Sequence, residues 1–174
     1  MASIGINAGI ALLGRGLGVR LDPYCTFNFL VEIEGIIAGG FSEVGGLEIT
    51  TDVERFHEGG VNDRLHILPK TTSQSDLTLK KGQTDLDLLW NWYSDVTAGK
   101  VKRKNGSIYL LDAQGIPAMW WDFVEAYPIK WSGPAFNASG NSVAVESLTL
   151  AHHGLTKPAM SQALSAIRGV GSLL

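Results

Sequence analysis

The sequence predicts a mainly β fold with one α-helix: an antiparallel β-barrel or sandwich with a flanking helix and an extended loop. Three observations predict it. Period-two alternation of apolar and polar residues recurs along the chain, between short clusters of Gly, Asn and Asp. Within the body of the chain one segment, near residues 85–98, repeats its apolar residues at helical spacing. Strands joined by short turns pair antiparallel, whereas a doubly wound α/β fold would alternate strands with helices.

The first strand is expected within residues 24–37, where Phe27, Phe29, Val31 and Ile33 face one way and Asn28, Glu32 and Glu34 the other. Gly39, Gly40, Gly45 and Gly46 punctuate the next segment as turn or bulge positions. Alternation resumes at Leu47, with Ile49, Thr51 and Val53 set against Glu48, Thr50, Asp52 and Glu54. Residues 57–69, with Gly59, Gly60, Asn62 and Asp63, read as a long loop; residues 75–81 are a further strand, ended by Gly82. In the helix, Leu86, Leu89, Trp90, Tyr93 and Val96 form one apolar face, and Thr84 is placed to cap it. Asp85 and Asp87 suit its positive end, and Gly99 with Lys100 its close. Asn105-Gly106 between the strands expected at 101–104 and 107–112 predicts a tight hairpin, and Gln114-Gly115 a second turn. Residues 116–131 form a Trp-rich strand broken by Pro128, and a polar stretch leads to the last strand at 142–152. There the apolar phase switches between Val145 and Leu148, which predicts a bulge.

The body, residues 22–155, is flanked by a Gly-rich N-terminal arm (1–21) and a C-terminal extension (156–174). Arg15 interrupts the apolar arm, which fits neither a secretory signal nor a bilayer span. Met160, Ala163, Leu164 and Ile167 sit at helical spacing, so the extension is read as a short amphipathic helix. Among 174 residues, 14 Lys and Arg stand against 17 Asp and Glu, a net charge of −3 that argues against a phosphate-neutralising nucleic-acid binder. With 45% hydrophobic residues the chain is globular, and 18% charged residues with 21 glycines suit a chain that associates.

The inventory of chemistry yields no enzyme. Gly14, Gly16 and Gly18 resemble a phosphate loop, but no strand precedes them and no lysine with a hydroxyl residue follows. His152 and His153 are adjacent and face opposite sides of a strand, away from His57 and His66, so no metal set is expected and no cofactor. A single cysteine, Cys25, rules out an internal disulfide, and beside Phe27 it reads as a small strand or core residue. Glu48, Asp52 and Glu54 share a strand face, which reads as solvated rather than as acid/base machinery. Lys100, Lys102, Arg103 and Lys104 read as a charged edge that discourages wrong pairing, or as a docking patch for an acidic partner. Trp90, Trp92, Trp120, Trp121 and Trp131 belong to core and interface. Trp120 and Trp121 face opposite sides, so only one can enter the core of a single subunit.

Five segments in order carry a resemblance: F-S-E-V-G-G-L at 41–47, L-K-K-G at 79–82, K-W-S-G-P at 130–134, N-A-S-G-N at 137–141 and E-S-L-T-L-A-H-H-G-L at 146–155. Together with their surroundings, over residues 22–155, they resemble the tail tube protein family of contractile-tailed phages and contractile injection systems, related to the type VI secretion ring protein. The resemblance implies a structural inner tube subunit. Its hexameric rings stack into a hollow tube that a contractile sheath drives through a target envelope, with DNA or protein effectors as cargo. The implied partners are the chain itself, the sheath protein, baseplate or spike proteins and a tube terminator. The implied setting is assembly in the bacterial cytoplasm and residence in a virion tail or an injection particle. An alternative of the same fold is a tube initiator, baseplate or capping protein that does not polymerise.

The residues supply a matching mechanism. Long strand pairs can join a neighbour's strands and close a ring, while stacking of rings leaves an open-ended tube. The 57–69 loop is expected to dock on an adjacent subunit with Phe56 and Leu65 as anchors, and the Glu48, Thr50, Asp52, Glu54 face to line the channel.

Overall fold

In the computed structural model, the residues described are 24–34, 40–57, 65–83, 87–139, 141 and 143–163. The N-terminal arm, Thr84, Asp85, Leu86, most of the 57–69 loop and the end of the C-terminal extension lie outside them. Among the described residues nine strands and one full helix follow in the order β1 (Phe29–Ile33), β2 (Phe41–Gly45), β3 (Ile49–Phe56), β4 (His66–Gln74), β5 (Leu77–Gly82), α1 (Leu88–Thr97), β6 (Lys104–Leu111), β7 (Pro117–Ser132), β8 (Val145–Ala151) and β9 (Gly154–Thr156). The chain divides into two compact units: residues 1–40, 104–124 and 156–174 in one, 41–103 and 125–155 in the other. The fold is mainly β and antiparallel, as expected, but β1 and β2 are end strands of the order β1-β6-β7-β8-β5-β2. The sheet is therefore open and does not close into a barrel.

In the first unit β1 pairs β6 in continuous register, Phe29 opposite Leu110 to Ile33 opposite Gly106. Val31, Ile33, Ile108, Ala118 and Phe123 form its core. The expected first strand is shorter than its alternation: Phe27 lies in a turn, 76% exposed, and Cys25 is exposed beside it rather than packed. The Asn105-Gly106 hairpin does not form. Both residues lie inside β6, because Gly106 is where the ring of Phe123 and the Glu32 carbonyl press on the backbone and only a hydrogen fits. The β6–β7 turn falls at Asp112–Ile116 as expected. Gly115 adopts φ +79°, and Asp112 Oδ1 accepts from the Gln114 and Ile116 amides at 2.9 Å each. Trp120 and Trp121 are both half-buried, one beside Tyr109 (6.1 Å between centroids), the other under Lys157 Nζ (5.9 Å). The C-terminal extension starts a helical turn at 159–163. Its inward residue is Ser161, whose Oγ accepts from the Trp120 amide at 2.8 Å, while Met160 is 73% exposed.

In the second unit β5 and β8 pair leucine against leucine, Leu77 opposite Leu150 and Leu79 opposite Leu148, all four fully buried. Each contributes about 1.5–3 kcal/mol of hydrophobic burial. α1 buries Leu89 and Trp92, and the Trp92 indole donates to the Lys102 carbonyl at 3.0 Å. Trp90, expected on the buried face, is 43% exposed. Gly99, at φ +80°, closes the helix as expected. The basic run 100–104 is a connection into β6, not a hairpin edge. Its Arg103 donates to Glu125 Oε2 at 3.1 Å.

The bulge expected in β8 is absent from its register with β5. Glu146 takes the core phase with Leu148 and Leu150, 3% exposed, and accepts from the Trp131 indole at 2.9 Å. A buried carboxylate had made the pattern look broken. The irregularity sits in β7 instead, between Pro128 and Lys130, so Pro128 bulges a continuous strand rather than breaking it.

Candidate assembly surfaces

β3 and β4 form a two-stranded sheet of their own. The β-branched run of Ile49, Thr50, Thr51 and Val53 favours the extended backbone, and β4 begins inside the stretch expected as loop, at His66, and takes up its last four residues. Every residue of β3 is exposed, and in β4 all but His66. An isolated two-stranded ribbon is marginal in water and ordinarily needs a surface to pack on.

The register assigns its faces. Ile49, Thr51, Val53 and Arg55 stand opposite Gln74, Thr72, Pro69 and Ile67 on one side; Thr50, Glu54 and Phe56 stand opposite Ser73, Leu68 and His66 on the other. One extra residue of β4 is inserted between Thr72 and Pro69. Phe56 stacks on its partner His66 at 5.4 Å, and both Phe56 (42%) and Leu65 (44%) remain uncovered. Glu48, Thr50, Asp52 and Glu54 are all exposed. Thr50 Oγ1 donates weakly to Glu48 Oε1 at 3.5 Å, and Lys70 pairs with Glu54 at 3.1 Å.

The second unit also carries a cleft of about 500 Å³ lined by Gln83, Asp87, Trp90, Trp131, Pro134 and Phe136 with neighbouring small residues. Trp90 and Trp131 meet edge to face at 4.6 Å. Trp131 is fixed from behind by Glu146 and from the side by Gly133, where a Cβ would lie 2.8 Å from the indole. Phe136 stands 88% exposed at the rim. The sequence placed these tryptophans in core or interface but gave no sign of a cleft, because its walls come from three separate segments.

In the first unit Tyr109 donates to Glu32 at 3.1 Å and Ser107 to Asp122 at 2.7 Å. Burial, foremost, raises the Tyr109 pKa above its ordinary value; Ser107 opposes and Glu32 reinforces the shift. Of the histidines, His152 bonds the Ser75 carbonyl at 3.0 Å and His153 pairs with Glu125 at 2.6 Å. Among the described residues no group of three or more His, Cys, Asp or Glu side chains could hold a metal ion, and no helix is long and apolar enough to cross a membrane.

The model of the T4-like virus tail tube protein gp19 family matches residues 25–156. The chain belongs to that family. Among solved structures, a chain of the sheath–tube complex of the PVC extracellular contractile injection system, in its extended state, is 26% identical with a TM-score of 0.71, over 83% of this chain and 97% of that one. A chain of the PVC sheath/tube terminator is 26% identical with a TM-score of 0.72, over 80% and 100%. A chain of the anti-feeding prophage baseplate (24%, TM-score 0.72, over 79% and 96%) shares the fold. No curated protein matches. As a tail tube family member, this chain is a structural, non-enzymatic component of a phage tail or contractile injection particle.

Proposed function

We propose that this tail tube protein is the inner tube subunit: hexameric rings of it stack into a hollow tube that sheath contraction drives through a target envelope. The observation that carries this reading is the β3–β4 ribbon, exposed on both faces, together with open sheet edges at β1 and β2. A neighbour's strands would pair the edges, and a neighbour's surface would cover the ribbon. Phe56 and Leu65 anchor the ribbon's end, and Glu48, Thr50, Asp52 and Glu54 line the channel. Unit charges about 8 Å apart in water interact by only about 0.5 kcal/mol. Such a lining keeps an acidic cargo, DNA or effector protein, from adhering without barring it. The partners are further copies, the sheath protein, baseplate or spike proteins and a terminator, with assembly in the bacterial cytoplasm.

The similarity to the PVC sheath/tube terminator chain supports a second reading, a capping or initiating protein that does not polymerise. Negative-stain electron microscopy of the purified full-length chain separates the two. Stacked rings are expected; single rings at every concentration favour the cap, and monomers refute both.

A further inference from the structure

The two sides of the β3–β4 ribbon differ in character. One presents Ile49 (54% exposed), Val53 (38%) and Ile67 (56%) with Pro69, and its only formal charge is Arg55. The other carries the Glu54–Lys70 pair with Asp52, beside Phe56 and Leu68. The Trp90–Trp131–Phe136 cleft is the counterpart of the first side: mostly apolar walls and, among the described residues that line it, one formal charge, Asp87, of opposite sign.

We infer that the Ile49–Val53–Ile67 side of one copy seats in the Trp90–Trp131–Phe136 cleft of the next, with Arg55 reaching Asp87. The inference rests on the tube reading and adds to it a second contact, made by the side opposite Phe56, and what receives it. A volume of about 500 Å³ lies within the roughly 300–1,000 Å³ of pockets that enclose small ligands, room for a few aliphatic side chains. Charge favours this orientation: Arg55 meets Asp87, the one anion among the described residues of the lining, whereas the opposite side carries Asp52 beyond the neutralised Glu54–Lys70 pair and would bring net negative charge against Asp87. Every residue of β3 is exposed within one subunit, so the ribbon does not fill its own cleft. Ribbon and cleft are different patches of the same chain. Their contact is therefore heterologous and repeats from copy to copy.

The test is a charge exchange in the full-length protein. Arg55→Asp and Asp87→Arg should each lower the assembled fraction, measured by sedimentation and electron microscopy, by at least about tenfold. The two together should restore most of it. Circular dichroism of the unassembled variants checks that each is folded. In a Cys25→Ser background, Val53→Cys with Phe136→Cys should form disulfides between copies on oxidation. Single variants that assemble like the parent, or tubes in which those cysteines do not cross-link, overturn this docking and leave the tube reading standing. A parent chain that forms no tubes overturns that reading, and the docking with it.

Discussion

A Cβ at position 106 would lie 2.3 Å from Phe123 Cζ and 2.4 Å from the Glu32 carbonyl oxygen, and the second of these atoms is backbone. Gly106→Ala is therefore expected to cost about 1–3 kcal/mol, read from the denaturant midpoint. If the alanine variant is as stable as the parent, the close packing of β6 on Phe123 is wrong. The Asn-Gly pair is a strong local signal for a turn, yet here its glycine serves packing, since sequence alone does not show which ring will lie over a given residue. Tyr109 supplies a pH dependence. Its folded-state pKa is raised above the ordinary 10.0, so the unfolded chain loses the phenolic proton first. The contribution is complete below that pH and is lost as pH rises through the folded value. Tyr109→Phe should thus lose less stability than the parent between pH 9 and 11; parallel curves would contradict the assignment.

Among the elements, the helix was legible by its period, but the face it buries only in part. Leu89 points inward as expected, while Trp92 takes the place assigned to Trp90. Two large aromatics two residues apart give a short helix two competing apolar faces, and tertiary packing, with the Trp92 indole bonded to the Lys102 carbonyl, decides between them. β8 shows a related effect. Glu146 is polar by type and core by position, because the Trp131 indole satisfies one of its oxygens. The β3–β4 ribbon was read as a strand and a loop. Its second strand, with Pro69, Lys70 and a run of Thr and Ser, has too little apolar alternation to declare itself. Replacing Phe56 and Leu65 together with Asp leaves the buried core untouched, so the variant should remain a folded monomer and form no tubes. Normal tubes by electron microscopy would remove these two residues from the interface.

For the whole molecule, heterologous contacts that do not close set no length, so tubes from the purified chain should vary widely in length and lengthen with protein concentration. The sequence by itself determined the β class, the helix, the β6–β7 turn, the absence of catalytic chemistry and, through five ordered segments, the tail tube family. These depend on local period, turn chemistry and residue order, all of which are written along the chain. Only the tertiary structure decided that the sheet stays open, that Gly106 and Glu146 serve the core, that the carboxylates of the ribbon share one side, and that three separate segments meet in an aromatic cleft. Each of these depends on which residues far apart in the chain become neighbours, and side-chain volume and hydrogen-bond satisfaction act only once they have met.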